Sequence, residues 1–398
     1  LGLLKQIAAL TGMGLRDIPQ RLGNSLVIVV GIAGVVVVLI PVLAMYLGFR
    51  ATLENDGRPD RAIVLAREAT AEDDSSLSRD SVAAMMNSPG VRHDARGNSI
   101  ASAEVVLAAP VFRLRDHSDV SVTFRGVGPQ YFVLRPELKL VAGRMFRPGT
   151  QELLVGAGAR SQFGGLQIGD RVRLQDGDWS VVGVFAGGNG ARDSELITDA
   201  QTVQSAYKMD TFNSVVVALD SPNALAALRN TVAQDARLPV SIAGEQQYLA
   251  TVSATDPAGR MLRLVTYAIG SIMALGALFA ALNSMYSSVV KRATEMATIR
   301  AIGFPGTAVA IAVLLEALLL ALIGAAIGVA ISYGAFNGIK ISTLGGALFD
   351  SQLVYALHVT PGLIATAIAL ACALGVAGGL PPALRAARAN IPSLLQES

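Results

Sequence analysis

The chain has one cysteine, one tryptophan and three histidines among its 398 residues, and only 16% of it is charged. Each scarcity closes a class of function. The lone thiol, Cys372, lies in an apolar run, so there is no disulfide framework and no thiolate cluster. His93, His117 and His358 are scattered, and none has a second His or Cys at metal-ligand spacing. Basic and acidic residues nearly balance, 32 against 30, for a formal net charge of +2. That leaves no basic surplus to neutralise a phosphate backbone, so nucleic acid is not an expected partner. Two Gly-rich stretches, Gly156 to Gly165 and Gly187 to Gly190, do not lead into Gly-Lys-Ser/Thr, the arrangement that cradles nucleotide phosphates. No nucleophile, base or metal constellation stands out. The expectation is a chain that is not an enzyme and carries no cofactor of its own.

What the sequence has in quantity is apolar length. The runs Leu26 to Leu47 and Leu264 to Val290 contain no charge, Thr307 to Gly338 contains only Glu316, and Val359 to Leu380 is again uncharged. A spanning helix needs about 20 such residues, so four spans are expected, at 25–49, 261–290, 306–338 and 359–382. Pro41 should kink or loosen the first. Lys5, Arg16 and Arg21 precede the first run, Lys291, Arg292 and Arg300 lie between the second and third, and Arg385 and Arg388 follow the fourth. Lys340 stands nearly alone in the connection at 339–358. By the positive-inside rule both termini are cytoplasmic. Residues 1–24 place Leu3, Leu4, Ile7, Leu10, Leu15 and Ile18 at helical spacing, an amphipathic segment along the inner membrane surface. The run after it is too long for a signal-peptide core and is read as a retained anchor.

Residues 50–260 read as an α+β extracytoplasmic domain. Strands are expected at Arg61 to Ala69, Ala101 to Phe112 and Val120 to Phe124, with a helix from Ser78 to Ser88 whose start Ser78 can cap. Between 126 and 207 the pattern changes to short strands and turns, including a hairpin from Asp170-Arg-Val-Arg-Leu174 to Trp179-Ser-Val-Val-Gly-Val-Phe185. A helix at Asp199 to Tyr207 follows. The strand, helix, strand pattern then returns at Ser214 to Leu219, Asn223 to Ala236 and Pro239 to Ala243. This predicts a split βαβ-type lobe (50–125 and 208–245) with a β-rich lobe (126–207) inserted in it. Gln246 to Arg263 is expected as an amphipathic helix continuous with the second span. Gly187 to Gly190 with Arg192, Asp193 and Glu195 reads either as a flexible loop or as a surface for an adaptor.

The connection between the second and third spans, 291–305, reads as a short helix. Arg292 and Glu295 can pair at i,i+3, Met296 and Ile299 offer a small apolar face, Arg300 suits the C-terminal end, and Gly303 followed by Pro305 stops it. Such a helix is either a plain polar connector or a surface that receives a push from a cytosolic partner. Glu316 is about 14 Å along its helix. It is either an intramembrane contact or a residue near the interface. Gly324 and Gly328, and Gly375 with Gly379, form small-residue faces suited to close helix packing, within one subunit or between two.

Taken together, Thr294-Glu-Met-Ala-Thr-Ile-Arg300-Ala-Ile-Gly303, Leu315-Glu316 to Gly324 and Gly328, and Pro382-Ala-Leu-Arg385-Ala-Ala-Arg388 to Leu395 resemble signatures of the FtsX-like, MacB-like ABC transporter permeases, relatives of LolC and LolE. Val155-Gly, Ile168-Gly-Asp170 and Val181-Val-Gly183 are similar to the periplasmic core of that family. The resemblance implies a four-span permease of the bacterial inner membrane that works as a homo- or heterodimer by mechanotransmission. ATP and Mg would be bound by a separate cytosolic ABC ATPase, contacted through Arg292, Glu295, Met296, Ile299, Arg300 and Gly303. Membrane lipid and a periplasmic adaptor are the further partners it suggests. Efflux or lipid or lipoprotein export is the implied function. The alternative is an FtsX-like regulator that passes ATPase motion to an extracytoplasmic cell-wall hydrolase.

Overall fold

The computed structural model describes residues 6, 7, 10–13, 22–54, 56–174, 177–187, 190–221, 223–235, 238–255, 257–291, 298, 300–342 and 352–388. In chain order the elements are α1 (Leu22–Glu54), β1 (Arg61–Ala66), α2 (Arg79–Met86), β2 (Ala101–Phe112), β3 (Asp119–Val127), α3 (Tyr131–Leu134), β4 (Lys139–Gly143), β5 (Glu152–Gly156), α4 (Ala157–Gln162), β6 (Arg171–Leu174), β7 (Gly177–Ala186), a 3-10 turn (Ala191–Ser194), β8 (Leu196–Asp199), α5 (Ala200–Tyr207), β9 (Ser214–Ala218), α6 (Ala224–Gln234), β10 (Val240–Gly244), α7 (Glu245–Thr255), α8 (Pro257–Lys291), α9 (Gly306–Phe336), β11 (Lys340–Ser342), β12 (Val354–Ala356) and α10 (Pro361–Arg388). They form two compact units. A helical unit takes in Leu1–Tyr46, Leu262–Ile339 and Leu357–Ser398, and an α/β unit takes in Leu47–Met261 and Lys340–Ala356.

Among the described residues four helices, α1, α8, α9 and α10, are long and apolar enough to cross a bilayer. Without a hydrophobic drive between helices in lipid, close approach depends on small residues. In α9, a Cβ at Gly324 would lie 2.7 Å from the Val29 carbonyl oxygen, and one at Gly328 would lie 2.7 Å from Val36 Cβ, both on α1. In α10, Gly375 and Gly379 meet Ala321 and Ala317 of α9, while Gly378 meets Ala281 of α8. The two glycine faces therefore pack within one chain. Ile32, Val36, Ile40, Leu320, Ala321 and Ala367 fill the core between the helices.

Several boundaries differ from the sequence expectation. α1 runs unbroken through Pro41 to Glu54, beyond the expected end at 49. Its 33 residues span about 50 Å, more than the roughly 30 Å of a hydrocarbon core. α10 does not stop at 382 but continues through Pro381 and Pro382 to Arg388. Its last turns are held because Ala383 and Ala386 pack with Val289, Ala308 and Val309, and because Arg385 lies 5.8 Å from the Tyr286 ring centroid. The helix expected from Gln246 into the second span is described as helical on both sides of residue 256, as α7 and α8, and residue 256 itself lies outside the described residues.

The α/β unit has a ten-stranded sheet of order β10-β1-β9-β2-β3-β8-β5-β7-β4, with β6 beside β7. Ser78 caps α2 by accepting from the Ser81 N–H, and Asp199 caps α5 by accepting from the Thr202 N–H. The two expected lobes are present as two half-sheets, but one strand belongs to both. Residues Ala101 to Glu104 of β2 pair with β9, and Val105 to Phe112 pair with β3. The cores divide at the same place. Ala101 and Ala103 pack with Val64, Val82, Val215 and Leu228, whereas Val105, Val122 and Phe124 pack with Leu153, Phe163 and Trp179. The boundary therefore lies at Glu104–Val105 and not at 126. Strand alternation names a buried face but not which core it enters. The connection 339–358, read as a plain loop, contributes β11 and β12, and both belong to the α/β unit.

Candidate functional site

The chain enters the α/β unit on α1 and leaves it at the start of α8, and buried charge lies just inside both places. Arg61 and Glu245 are 1% and 2% exposed. The Arg61 Nε donates to Glu245 Oε2 at 2.5 Å, and Arg135 Nη2 donates to Glu245 Oε1 at 2.6 Å. The Arg58 N–H adds a third bond to Glu245 at 3.1 Å. Arg61 directs its remaining nitrogens to the Leu134 carbonyl, Glu137 and the Asp56 carbonyl. Charges this far from water are tolerated only when paired and hydrogen-bonded, so Glu245 as the first residue of α7 fixes where that helix starts. Nearby, the Ser253 hydroxyl donates to Glu54 Oε1, the last residue of α1. A Cβ at Gly57 would lie 2.8 Å from Gln246 Cα.

A second buried cluster lies at the seam between the half-sheets. Arg125, on β3, donates two parallel bonds to Glu195 (2.8 and 3.0 Å), two to Glu72 (3.0 and 3.1 Å) and one to Glu104 (2.8 Å). Arg192 adds an ion pair to Glu195 at 3.3 Å. Ser214 of β9 donates to Glu72 at 2.7 Å. Asp56 joins the two clusters. Its carbonyl accepts from Arg61, and its carboxylate accepts from the Arg192 N–H at 3.1 Å.

The carboxylates separate by environment. Burial alone would raise Glu72, but the Arg125 and Arg192 charges, with hydrogen bonds from Arg125 and Ser214, hold it down at about 2. Burial likewise opposes Glu195, and Arg125 and Arg192 lower it. Burial wins at Glu104, whose Oε1 has no hydrogen-bond partner among the described residues, and pushes its carboxyl up. Asp56 is also raised by burial, against the pull of Arg192. Arg192, Asp193 and Glu195 are all buried, so they are interior residues and not a loop surface for an adaptor. Sequence reading assigned no role to Arg61, Glu104, Arg125 or Glu245. A charge set inside the apolar strand Ala-Ser-Ala-Glu104-Val-Val was the available signal.

A third fixture is β12. Val354 enters the core beside Phe163 and Ala159. The Ser194 hydroxyl accepts from the Val354 N–H at 2.8 Å and can donate to its carbonyl at 3.4 Å. The Gln352 N–H donates to the Ser121 carbonyl at 2.6 Å, and Arg113 donates to the Gln352 side chain at 2.8 Å. Tyr355 meets Phe49 edge-on at 6.1 Å.

Of the expected ATPase-contact residues, Arg292, Glu295, Met296 and Ile299 lie outside the described residues. Arg300 is half-buried. Gly303 has φ +108°, the left-handed stop expected of it. Phe304 packs onto a cluster of Leu10, Val289, Val309, Val313 and Ala386. A Cβ at Gly306 would meet the Ala387 carbonyl oxygen at 2.7 Å. This end of the helical unit thus joins α8, α9, α10 and the segment around Leu10. Glu316 is half-buried on α9. Among the described residues no group of His, Cys, Asp and Glu could hold a metal ion.

Residues 22–235, more than half of the chain, match the family profile of the MacB-like periplasmic core domain. Residues 267–391 match the FtsX-like permease C-terminal domain. The chain belongs to the FtsX-like, MacB-like permease family. Among solved structures it is similar to the periplasmic region of MacB from Actinobacillus actinomycetemcomitans, at 14% identity and TM-score 0.38, covering 50% of this chain and 96% of that one. It is also similar to the extracellular domain of the ABC-type transporter YknZ from Gram-positive bacteria (14% identity, TM-score 0.34, 46% of this chain and 99% of that one). A third is a permease-protein domain from Porphyromonas gingivalis (16% identity, TM-score 0.32, 47% and 91%). No curated protein matches the chain. As an FtsX-like permease it is a multi-pass inner-membrane component of an ABC transporter, and membership implies association with a cytosolic ABC ATPase and dimerisation.

Proposed function

We propose that this FtsX-like permease converts the nucleotide cycle of a separate cytosolic ABC ATPase into movement of its extracytoplasmic α/β unit, in service of efflux or of lipid or lipoprotein export. The observation that carries this reading is the buried pairing of Arg61 with Glu245. A helix that only anchored its domain would need no such lock. Here the root of α7 and the chain just after α1 are joined by charges that cannot separate without leaving one of them unpaired in the interior, so displacement of either helix is passed to the sheet instead of being absorbed in a loop. The size of the α/β unit, two cores on a ten-stranded sheet, supports handling of a substrate over a regulator's simpler signalling role. The ATPase would act on residues 291–305, next to the packed end at Val289, Phe304 and Ala386.

The test is association and movement in the assembled complex. The pair Glu295→Lys and Arg300→Glu is expected to abolish co-purification with the ABC ATPase while the permease still inserts; unchanged co-purification removes the contact assignment. Spin labels at Arg96 and Arg171 of the α/β unit, with partner labels on a second permease subunit, are expected to shift in distance when the ATPase is trapped with ATP. Identical distances in every nucleotide state would end the coupling proposal.

A further inference from the structure

The chain passes between the helical and α/β units four times, at 46–47, 261–262, 339–340 and 356–357. The first two crossings are α1 and the start of α8, and they lead to the half-sheet of β10, β1 and β9 through Arg61 and Glu245. The other two lead through β11 and β12 to the opposite half. Val354 is buried among Phe163, Ala159 and Leu166. The Ser194 hydroxyl is within reach of both backbone polar groups of Val354, and Gln352 is held by Ser121 and Arg113. These partners belong to the half beyond Glu104–Val105: Phe163, Ala159 and Leu166 to its core, Ser121 to β3, Ser194 to the turn before β8, and Arg113, which follows β2 directly, to a bridge with Phe163.

From this partition we propose that the α/β unit has two separate inputs. α1 and α8 move one half-sheet, and α9 and α10 move the other through β12, with the halves articulating where β2 changes partner at Glu104 and Val105. Three features fit a tether of this kind. β12 is only three residues long and pairs with β11, yet Val354 commits both its side chain and its backbone polar groups to the inserted half, which is more fixation than closing a loop requires. It also has a bearing surface: a Cβ at Gly48 would lie 2.9 Å from the Ala356 carbonyl oxygen and 3.2 Å from the Tyr355 ring, and Phe49 meets that ring edge-on. One end of the strand thus rests on the last turns of α1 while the other is fastened to the inserted half. Finally, the seam is polar. Hydrogen bonds to Glu72, Glu104 and Glu195 from Arg125 can exchange partners during a small rotation, whereas an interdigitated apolar core is bistable and resists continuous shear. The proposal concerns how motion divides inside this chain and stands whatever drives it.

Hydrogen exchange on the full chain in lipid nanodiscs tests it, since local opening reads the stability of each half separately. Ser194→Ala with Gln352→Ala removes the tether's side-chain fastenings. Loss of a hydrogen bond of about 1 kcal/mol is expected to speed exchange about fivefold in β5, α4 and β8, with β1, β9 and β10 unchanged. Arg61→Met is expected to do the reverse. Equal acceleration in both halves by either variant would show one rigid body and overturn the proposal, as would no acceleration by the first. Should the double variant fail to assemble, Ser194→Cys with Val354→Cys on a Cys372→Ala background replaces it. An oxidised pair is expected to slow exchange in the inserted half alone, and slowing in both halves equally would again overturn the two-input reading. ATPase is absent throughout, so failure here is distinct from failure of the coupling function.

Discussion

Arg61 and Glu245 stand 184 positions apart in the chain and meet at 2.5 Å with almost no solvent access. Because one follows α1 and the other begins α7, the bond closes the base of the first half-sheet. Removing one partner leaves a buried charge without its counter-ion, which costs about 3–5 kcal/mol. Glu245→Gln and Arg61→Met are each expected to lower the thermal stability of the α/β unit by an amount in that range, measured on the full chain in detergent. The double variant Arg61→Met with Glu245→Leu is expected to lose less than the sum of the singles, because the second substitution removes a charge the first has left unpaired, while Arg135 still loses its acid. A double variant as unstable as the sum of the singles would contradict the ion-pair account.

The seam cluster makes a pH prediction with two signs. Glu72 is held at about 2, against 4.5 for the free side chain, and Glu195 is also lowered. Their pairing stabilises the fold above about pH 4.5 and is lost as pH falls through their lowered folded values. Glu104 is raised, so its contribution is complete below about pH 4.5 and declines as pH rises through its folded value. Glu195→Gln is therefore expected to destabilise at pH 7, by an amount that shrinks as pH falls below about 4.5. Glu104→Gln, which mimics the protonated form, is expected to be neutral or stabilising at pH 7. Thermal unfolding across pH 3 to 8 checks both, and destabilisation by Glu104→Gln at pH 7 would reverse its assignment.

How much of this was legible in the sequence depends on the reach of the interaction. Ser78 and Asp199 announce helix starts because a cap bonds only two or three residues ahead. The four spans announce themselves by length, and Gly303 by its place before Pro305. The β6–β7 hairpin was readable because Arg171 to Leu174 pair with Gly177 to Ser180, close neighbours in the chain. The rest required knowing what lies far away in sequence. Nothing in Lys340 to Ala356 marks Val354 as a core residue of another segment's fold. β2 reads Ala-Ser-Ala-Glu104 and is then apolar from Val105 to Phe112, a change that does not say which strand pairs with which part. Arg125 reads like any strand cation until Glu72, Glu104 and Glu195 are brought to it.

The glycines of the helical unit divide into those that are crowded and those that are not. A Cβ at Gly328 would come within 2.7 Å of Val36 Cβ and 2.9 Å of the Ala33 carbonyl oxygen, whereas Gly334, on the same helix, has nothing within 4 Å. Gly328→Val is expected to force α9 away from α1 at a cost of about 1–3 kcal/mol or more and to reduce the yield of folded permease. Gly334→Val is expected to leave yield and melting temperature close to wild type. Equal effects from the two would mean that these helices do not pack through Gly328.

Gly303 tests the transmission end without touching the α/β unit. At φ +108° any side chain is strained, at about 1–2 kcal/mol. The Gly303 N–H still bonds the Arg300 carbonyl at 3.1 Å, so a substituent either strains that turn or opens it. Phe304 follows immediately and packs with Val289, Val309 and Ala386, so opening the turn would loosen the link between Arg300 and that packed cluster. Gly303→Val is therefore expected to leave insertion and the melting temperature of the α/β unit unchanged, to retain some ATPase binding, and to reduce the movement of the α/β unit on ATP trapping. Co-purification measures the binding, and spin-label distances measure the movement. Wild-type movement in Gly303→Val would show that this stop is not part of the coupling path.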